Sequence, residues 1–220
     1  STLPTRMSGF VLTGHGGPEM LEWREDLPVP QAEAGEVVIK VAASAVNNTD
    51  INTRIGWDSR DVTTATDAVT GTVDSAASWS GAALSLPLIQ GADCCGHIVA
   101  VGAGIDAARI GERVLVRAMS SRTRADGTIT IATFGSECNG GFAQFTKAPS
   151  HDALAVQSDL SDIELAALPC AFSTAEGMLQ RAAVQAENVL ITGASGGVGA
   201  AAVQLAHLRG ARVTAVTQGS

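Results

Sequence analysis

Over the first two-thirds of the chain, apolar and polar residues alternate in short runs separated by turn-forming residues. "EVVIKVAAS" (36–44) places Val37, Ile39 and Val41 on one face, the period-two pattern of a strand with one face buried. "FVLT" (10–13), "LEWRE" (21–25), "GHIVAVGAG" (96–104), "RVLVRA" (113–118) and "GFAQFTK" (141–147) continue the series. "GHGGP" (14–18) falls between two such runs with no helix start in phase, so it reads as a hairpin connection rather than a phosphate loop. Many short strands with glycine-rich turns predict a compact antiparallel barrel or sandwich. Residues 54–86 interrupt the pattern with a Ser/Thr/Ala/Gly-rich stretch of no clear period. That stretch is expected to be a long, insertion-like loop with Trp57 and Trp79 as hydrophobic anchors.

From residue 158 the pattern changes to helix and strand. "SDIE" (161–164) has the spacing of a capping box, in which a Ser hydroxyl accepts a backbone N–H and the Glu reaches back. Alanine-rich helices are predicted to about Val184. "NVLIT" (188–192) then reads as a buried strand, followed by a turn, a helix to Arg209 ended by Gly210, and a second strand "ARVTAVT". The division expected is therefore 1–157 and 158–220, with the second part a βαβ unit.

The turn "TGASGGVG" carries the most specific chemistry. Gly193 can close it at backbone angles that a side chain resists. Gly196 and Gly197 let the backbone approach a pyrophosphate, and Gly199 permits close packing of the helix. The helix start then offers unpaired N–H groups and a positive dipole end. The expected cofactor-binding set is Gly193, Ala194, Ser195, Gly196, Gly197, Val198 and Gly199. The following strand ends "AVTQGS", with Thr217 where NAD-binding units carry an acid for the ribose hydroxyl. A carboxylate there would repel a 2′-phosphate, so its absence permits NADP(H).

Composition removes several function classes. With 45% hydrophobic and 16% charged residues, the 220-residue chain can build a core. A net charge of −8 with scattered Lys and Arg gives no footprint for nucleic acid. No apolar run reaches the roughly 20 residues of a membrane span. The opening "STLPTRMSGF" has no apolar signal core, and Cys94, Cys95, Cys138 and Cys170 form no disulfide framework, so a reducing cytoplasm is expected.

Taken in order, "GHGGPEMLEWRE", "VNNTDINTRIG", "LPLIQGADCCGHIVAVGAGI", "GERVLV", "NGGFAQFTKAP", "AALPCAFSTAEGML" and "VLITGASGGVGAAAVQLAHLRGA" resemble the medium-chain dehydrogenase/reductase family, in its zinc-free quinone-oxidoreductase-like branch. The resemblance implies an N-terminal GroES-like β-barrel domain followed by the first part of a doubly wound Rossmann domain, with the active site in the cleft between. Zinc-type members place three ligands at positions that here look like Asn47, Ala92 and Cys170. One thiol cannot hold a catalytic zinc, which needs three protein ligands, so no metal is expected. The resemblance places Asn47 and Asp50 at the cleft floor. The Asn47 amide could donate to a substrate or nicotinamide oxygen. Asp50 either braces its turn, the favoured reading, or acts as a base. Thr174 matches a family Thr that touches the nicotinamide carboxamide, with helix capping as the alternative. Asn52 or a neighbour stands where many members carry a Tyr, which puts a general acid there in doubt.

The implied activity is NADPH-dependent reduction of a quinone, enone or other activated double bond, with a homodimer possible. "TGASGGVG" also fits the short-chain dehydrogenases, but those depend on a Tyr and this chain has none. A zinc-type alcohol dehydrogenase is the weaker alternative. A third reading is a non-catalytic binding module with a nucleotide half-site, because a doubly wound domain needs two halves and only one precedes Ser220. The chain is therefore expected to be a fragment of a longer enzyme.

Overall fold

The computed structural model describes residues 2–57, 84–123 and 126–218. The chain forms two compact units, Ser1–Ala167 and Leu168–Ser220. Most of the loop expected over 54–86, Trp79 included, lies outside the described residues.

The first unit opens with β1 (Arg6–Leu12) and β2 (Leu21–Pro28), an antiparallel hairpin joined through "GHGGP". Next come β3 (Glu36–Ala43), α1 (Asn48–Ile55), β4 (Cys95–Val101) and β5 (Arg113–Val116). A second hairpin, β6 (Met119–Thr123) and β7 (Ile129–Thr133), precedes β8 (Phe145–Pro149), β9 (Ala153–Ala155) and the short α2 (Asp162–Ala166). The central sheet is five-stranded in the order β8-β3-β4-β5-β9, with every neighbouring pair antiparallel.

As the alternation predicts, Val37 and Ile39 share one face, where they pack with Ile98, Val114, Val116 and Ala148. Val38 is equally buried on the opposite face, against Met7, Val11, Ile89 and Phe145. The first hairpin supplies Met7 and Val11 to that second layer, so β3 is covered on both sides. The "GFAQFTK" run is corrected by four residues: only Phe145 onward is strand. Residues 141–144 are spent on single backbone contacts, such as the Phe10 N–H to the Phe142 carbonyl.

The β6–β7 hairpin and the three-residue β9 are not among the runs that alternation picks out. Nor is α1, where the family resemblance implies a turn. Its segment "NTDINTRI" has only two apolar residues, so no helical stripe is visible, and the helix is held from its ends instead. Gly56 closes it at φ +74°. The His15 Nδ1 lies 3.1 Å from the Thr53 carbonyl, and the Arg54 guanidinium donates to the Gly16 carbonyl.

The second unit contains α3 (Pro169–Arg181), β10 (Asn188–Thr192), α4 (Gly197–Leu208) and β11 (Arg212–Val216). β10 and β11 are parallel neighbours, and α4 is their crossover. Ala175 of α3 packs on Ala201 and Ala202 of α4, with Ile191 and Leu205 beside them. Leu179, Val184, Ala206 and Ala211 make a second cluster over Val189 and Val213. The units part at 167/168, ten residues later than the expected 157/158. The reason is α2, whose Asp162 accepts the Arg113 Nε–H at 2.7 Å and the Cys95 thiol at 3.6 Å. Those bonds bind α2 to the β-sheet unit.

Candidate functional site

In the first unit, Asn47 is the N-cap of α1, and Asp50, in the helix's first turn, reaches back to it. Asp50 is 5% exposed, and its carboxylate accepts three backbone N–H groups. Oδ2 takes Asn47 at 2.8 Å, while Oδ1 takes Gly91 and Ala92 at 3.1 Å each. Gln90 Nε2 donates to the Asp50 carbonyl at 2.9 Å. Burial pushes the Asp50 carboxyl above its ordinary range, against the pull of those backbone bonds. The carboxylate thus ties the start of α1 to the strand of chain at 90–92.

Gly91 is required in that arrangement. It sits at φ +106°, and a Cβ there would stand 2.8 Å from the Phe142 nitrogen. Ala92, 2% exposed, offers its N–H to Asp50 and only a methyl as side chain. The Asn47 side chain is half-buried, and its Nδ2 donates to Asp93 Oδ2 at 2.8 Å. Asp93, 1% exposed, was missed from sequence. The signal was its being the one acid within the run 88–101. Asn52 lies on α1 with its Oδ1 buried and without a hydrogen-bond partner.

The neighbouring thiols are quiet. Burial, with help from the Asp162 charge, pushes Cys95 up to about 11, and burial raises Cys94 further still. Both stay protonated at neutral pH. Among the described residues no group of three or more His, Cys, Asp or Glu is placed to hold a metal ion. A cavity of about 310 Å³ on the hairpin side is lined by residues including Met7, Val11, Leu27, Ile89 and Phe145. It does not include Asn47, Asp50, Ala92 or Asp93.

In the second unit, the glycine turn joins the C-terminal end of β10 to α4. Gly193 has φ +64°. Gly196, extended at φ −78° and ψ 165°, is the N-cap, and the helix starts at Gly197. The N–H groups of its first turn consequently have no partner within the helix. Gly199 is bare because an added Cβ would run into the Gly193 carbonyl. Gly196 and Gly197 are different. A Cβ at either would meet its nearest neighbour at 3.4 and 3.7 Å, which is ordinary contact.

The Ala194 N–H donates to the Val216 carbonyl at 3.1 Å. That bond brings the turn beside Thr217, which is exposed just past β11. Thr174 sits in the middle of α3, so it cannot cap the helix. Its Oγ1 donates to the Cys170 carbonyl at 2.7 Å, one turn back.

Comparison with known proteins places these features in one lineage. Residues 33–158 match the family model of the alcohol dehydrogenase GroES-like domain. The chain belongs to the medium-chain dehydrogenase/reductase family. Within that family it is quinone-oxidoreductase-like. A quinone oxidoreductase of Lama guanicoe is 32% identical over 203 residues, 91% of this chain and 49% of that protein. A 2-methylene-furan-3-one reductase of Solanum lycopersicum is 28% identical over 98% of this chain and 48% of its own length. In structure, a candidate alcohol dehydrogenase from Sinorhizobium meliloti 1021 superposes with a TM-score of 0.82 at 44% identity. It is matched over 98% of this chain and 57% of its own. The family fold is a GroES-like β-domain followed by a Rossmann domain, and the two units described above are that domain and the first part of the Rossmann domain. The chain spans about half the length of these relatives. No helix among the described residues is long and apolar enough to cross a membrane.

Proposed function

We propose that the whole protein is an NADP(H)-dependent reductase of quinones, enones or related activated double bonds, working without zinc. The observation that carries this reading is the bareness of Gly196 and Gly197. Among the described residues, packing leaves room for a side chain at both positions, and a ligand that approaches the backbone would account for their lack of one. Gly193, Ala194, Ser195 and the first-turn N–H groups of Gly197, Val198 and Gly199 would hold the pyrophosphate. Thr217, beside the turn, offers a hydroxyl where a carboxylate would repel a 2′-phosphate, which favours NADP(H) over NAD(H). When bound, the reduced nicotinamide supplies the hydride.

In the β-unit, Asn47 Nδ2 carries two hydrogens. One serves Asp93, and the second is the donor toward a substrate or nicotinamide oxygen. Asp50 braces the segments that carry Asn47 and Ala92. Thr174 presents its hydroxyl oxygen, whose proton goes to Cys170, as an acceptor for the carboxamide. The zinc-free reading is supported by the side chains at 47 and 92, an amide tied to a buried acid and a methyl, neither a ligand of the zinc-site type.

Hydride transfer by the full-length protein tests the reading. With a panel of quinones and enones, NADPH oxidation without added metal is expected, faster than NADH oxidation. Inactivity with both nucleotides, or activity that needs one equivalent of zinc, would overturn it.

A further inference from the structure

We propose that Asp93 is a positioning residue for the reaction, fixing which end of the Asn47 amide faces the reacting atoms. This rests on the reductase reading above. A carboxylate can only accept, so its bond to Asn47 Nδ2 at 2.8 Å sets the nitrogen toward Asp93. An amide without such a partner can turn over, since its two ends are nearly the same shape.

The carboxylate is not needed merely to join the two segments. Ser44 Oγ already donates to the Asp93 backbone carbonyl at 2.5 Å, a bond that any residue at 93 would offer. The carboxylate also holds the amide, and it does so while 1% exposed. An acid buried that deeply is costly unless its oxygens are bonded. Asp50 locks the Asn47 backbone from the other side. Backbone and amide are then both fixed, as a group that must meet a developing charge without reorganising requires.

The test is a double-mutant cycle in the full-length protein, read in kcat and KM with NADPH and an enone. Asp93→Asn presents either end of a neutral amide to Asn47 and no longer enforces its orientation. The expected result is a loss of roughly tenfold in kcat with KM little changed. Combined with Asn47→Ala, the same substitution should cause almost no further loss, because there is no amide left to orient. Should Asp93→Asn fail to fold, Asp93→Glu, which keeps the charge and displaces the oxygens, should show the same split. Equal losses in both backgrounds, or a change confined to KM, would overturn the positioning role while leaving the reductase reading intact. An unsubstituted protein that oxidises neither nucleotide would overturn both.

Discussion

Asp50 shows what a buried acid does when its oxygens are already committed. Three backbone N–H groups converge on its carboxylate, and replacing it by Asn turns one acceptor into a donor that faces another donor. Asp50→Asn is therefore expected to cost about 1–3 kcal/mol, read from the urea midpoint of the 220-residue chain. An unchanged midpoint would mean that the carboxylate is free for proton chemistry instead. A second residue runs against its own backbone. Gly56 and Gly210 close α1 and α4 at positive φ, but α3 is followed by Ala183 at φ +52°. Ala183→Gly should raise stability by about 1 kcal/mol, measured in the same denaturation experiment. At this scale a family motif singles out Asn47 and Asp50, which the structure sets together at the start of α1. The sequence was silent on Asp93, because nothing local tells a buried acid with a partner from a surface acid on a turn.

At the scale of elements, strands were legible where one face is buried and helices where an apolar stripe exists. Alternation located β3, and the apolar run before the glycine turn located β10. It could not locate α1, whose stability comes from the Asp50 carboxylate at its start, a C-terminal glycine and bonds to the first hairpin, none of which has a period. α2 was read correctly as a capped start, with the Glu164 carboxylate accepting the Ser161 N–H at 2.8 Å. Its attachment to the β-unit was invisible because it runs through Arg113, 49 residues away. The Arg113 guanidinium holds the Asp162 carboxyl below its ordinary range. The folded chain thus binds fewer protons at this group than the unfolded chain does near pH 4. Its stabilising contribution is complete above about pH 5 and is lost as pH falls through the folded value. Asp162→Asn is expected to flatten the acid limb of the stability profile below about pH 5, read as thermal midpoint against pH. Asp50, shifted the other way, contributes the opposite slope: its part of the stability falls as pH rises through its raised value.

For the molecule as a whole, the glycine turn joins fold to function, and its glycines divide into two kinds. Gly193 and Gly199 are demanded by the protein, one for its backbone angle and one for close approach. At Gly196 and Gly197 an added Cβ would make only ordinary contacts among the described residues. The most direct measurement is therefore calorimetric titration of the full-length protein with NADPH and NADH, for the unsubstituted protein and for Gly197→Ala, alongside their thermal midpoints. Ala is the better helix residue by about 0.5–1 kcal/mol, so Gly197→Ala should melt at the same temperature or higher. On the proposed function it should nonetheless bind NADPH roughly tenfold more weakly or worse, because the added methyl would stand between the backbone and the pyrophosphate. NADPH should bind the unsubstituted protein more tightly than NADH. Undiminished NADPH binding by Gly197→Ala, or no binding of either nucleotide by the unsubstituted protein, would contradict the nucleotide site.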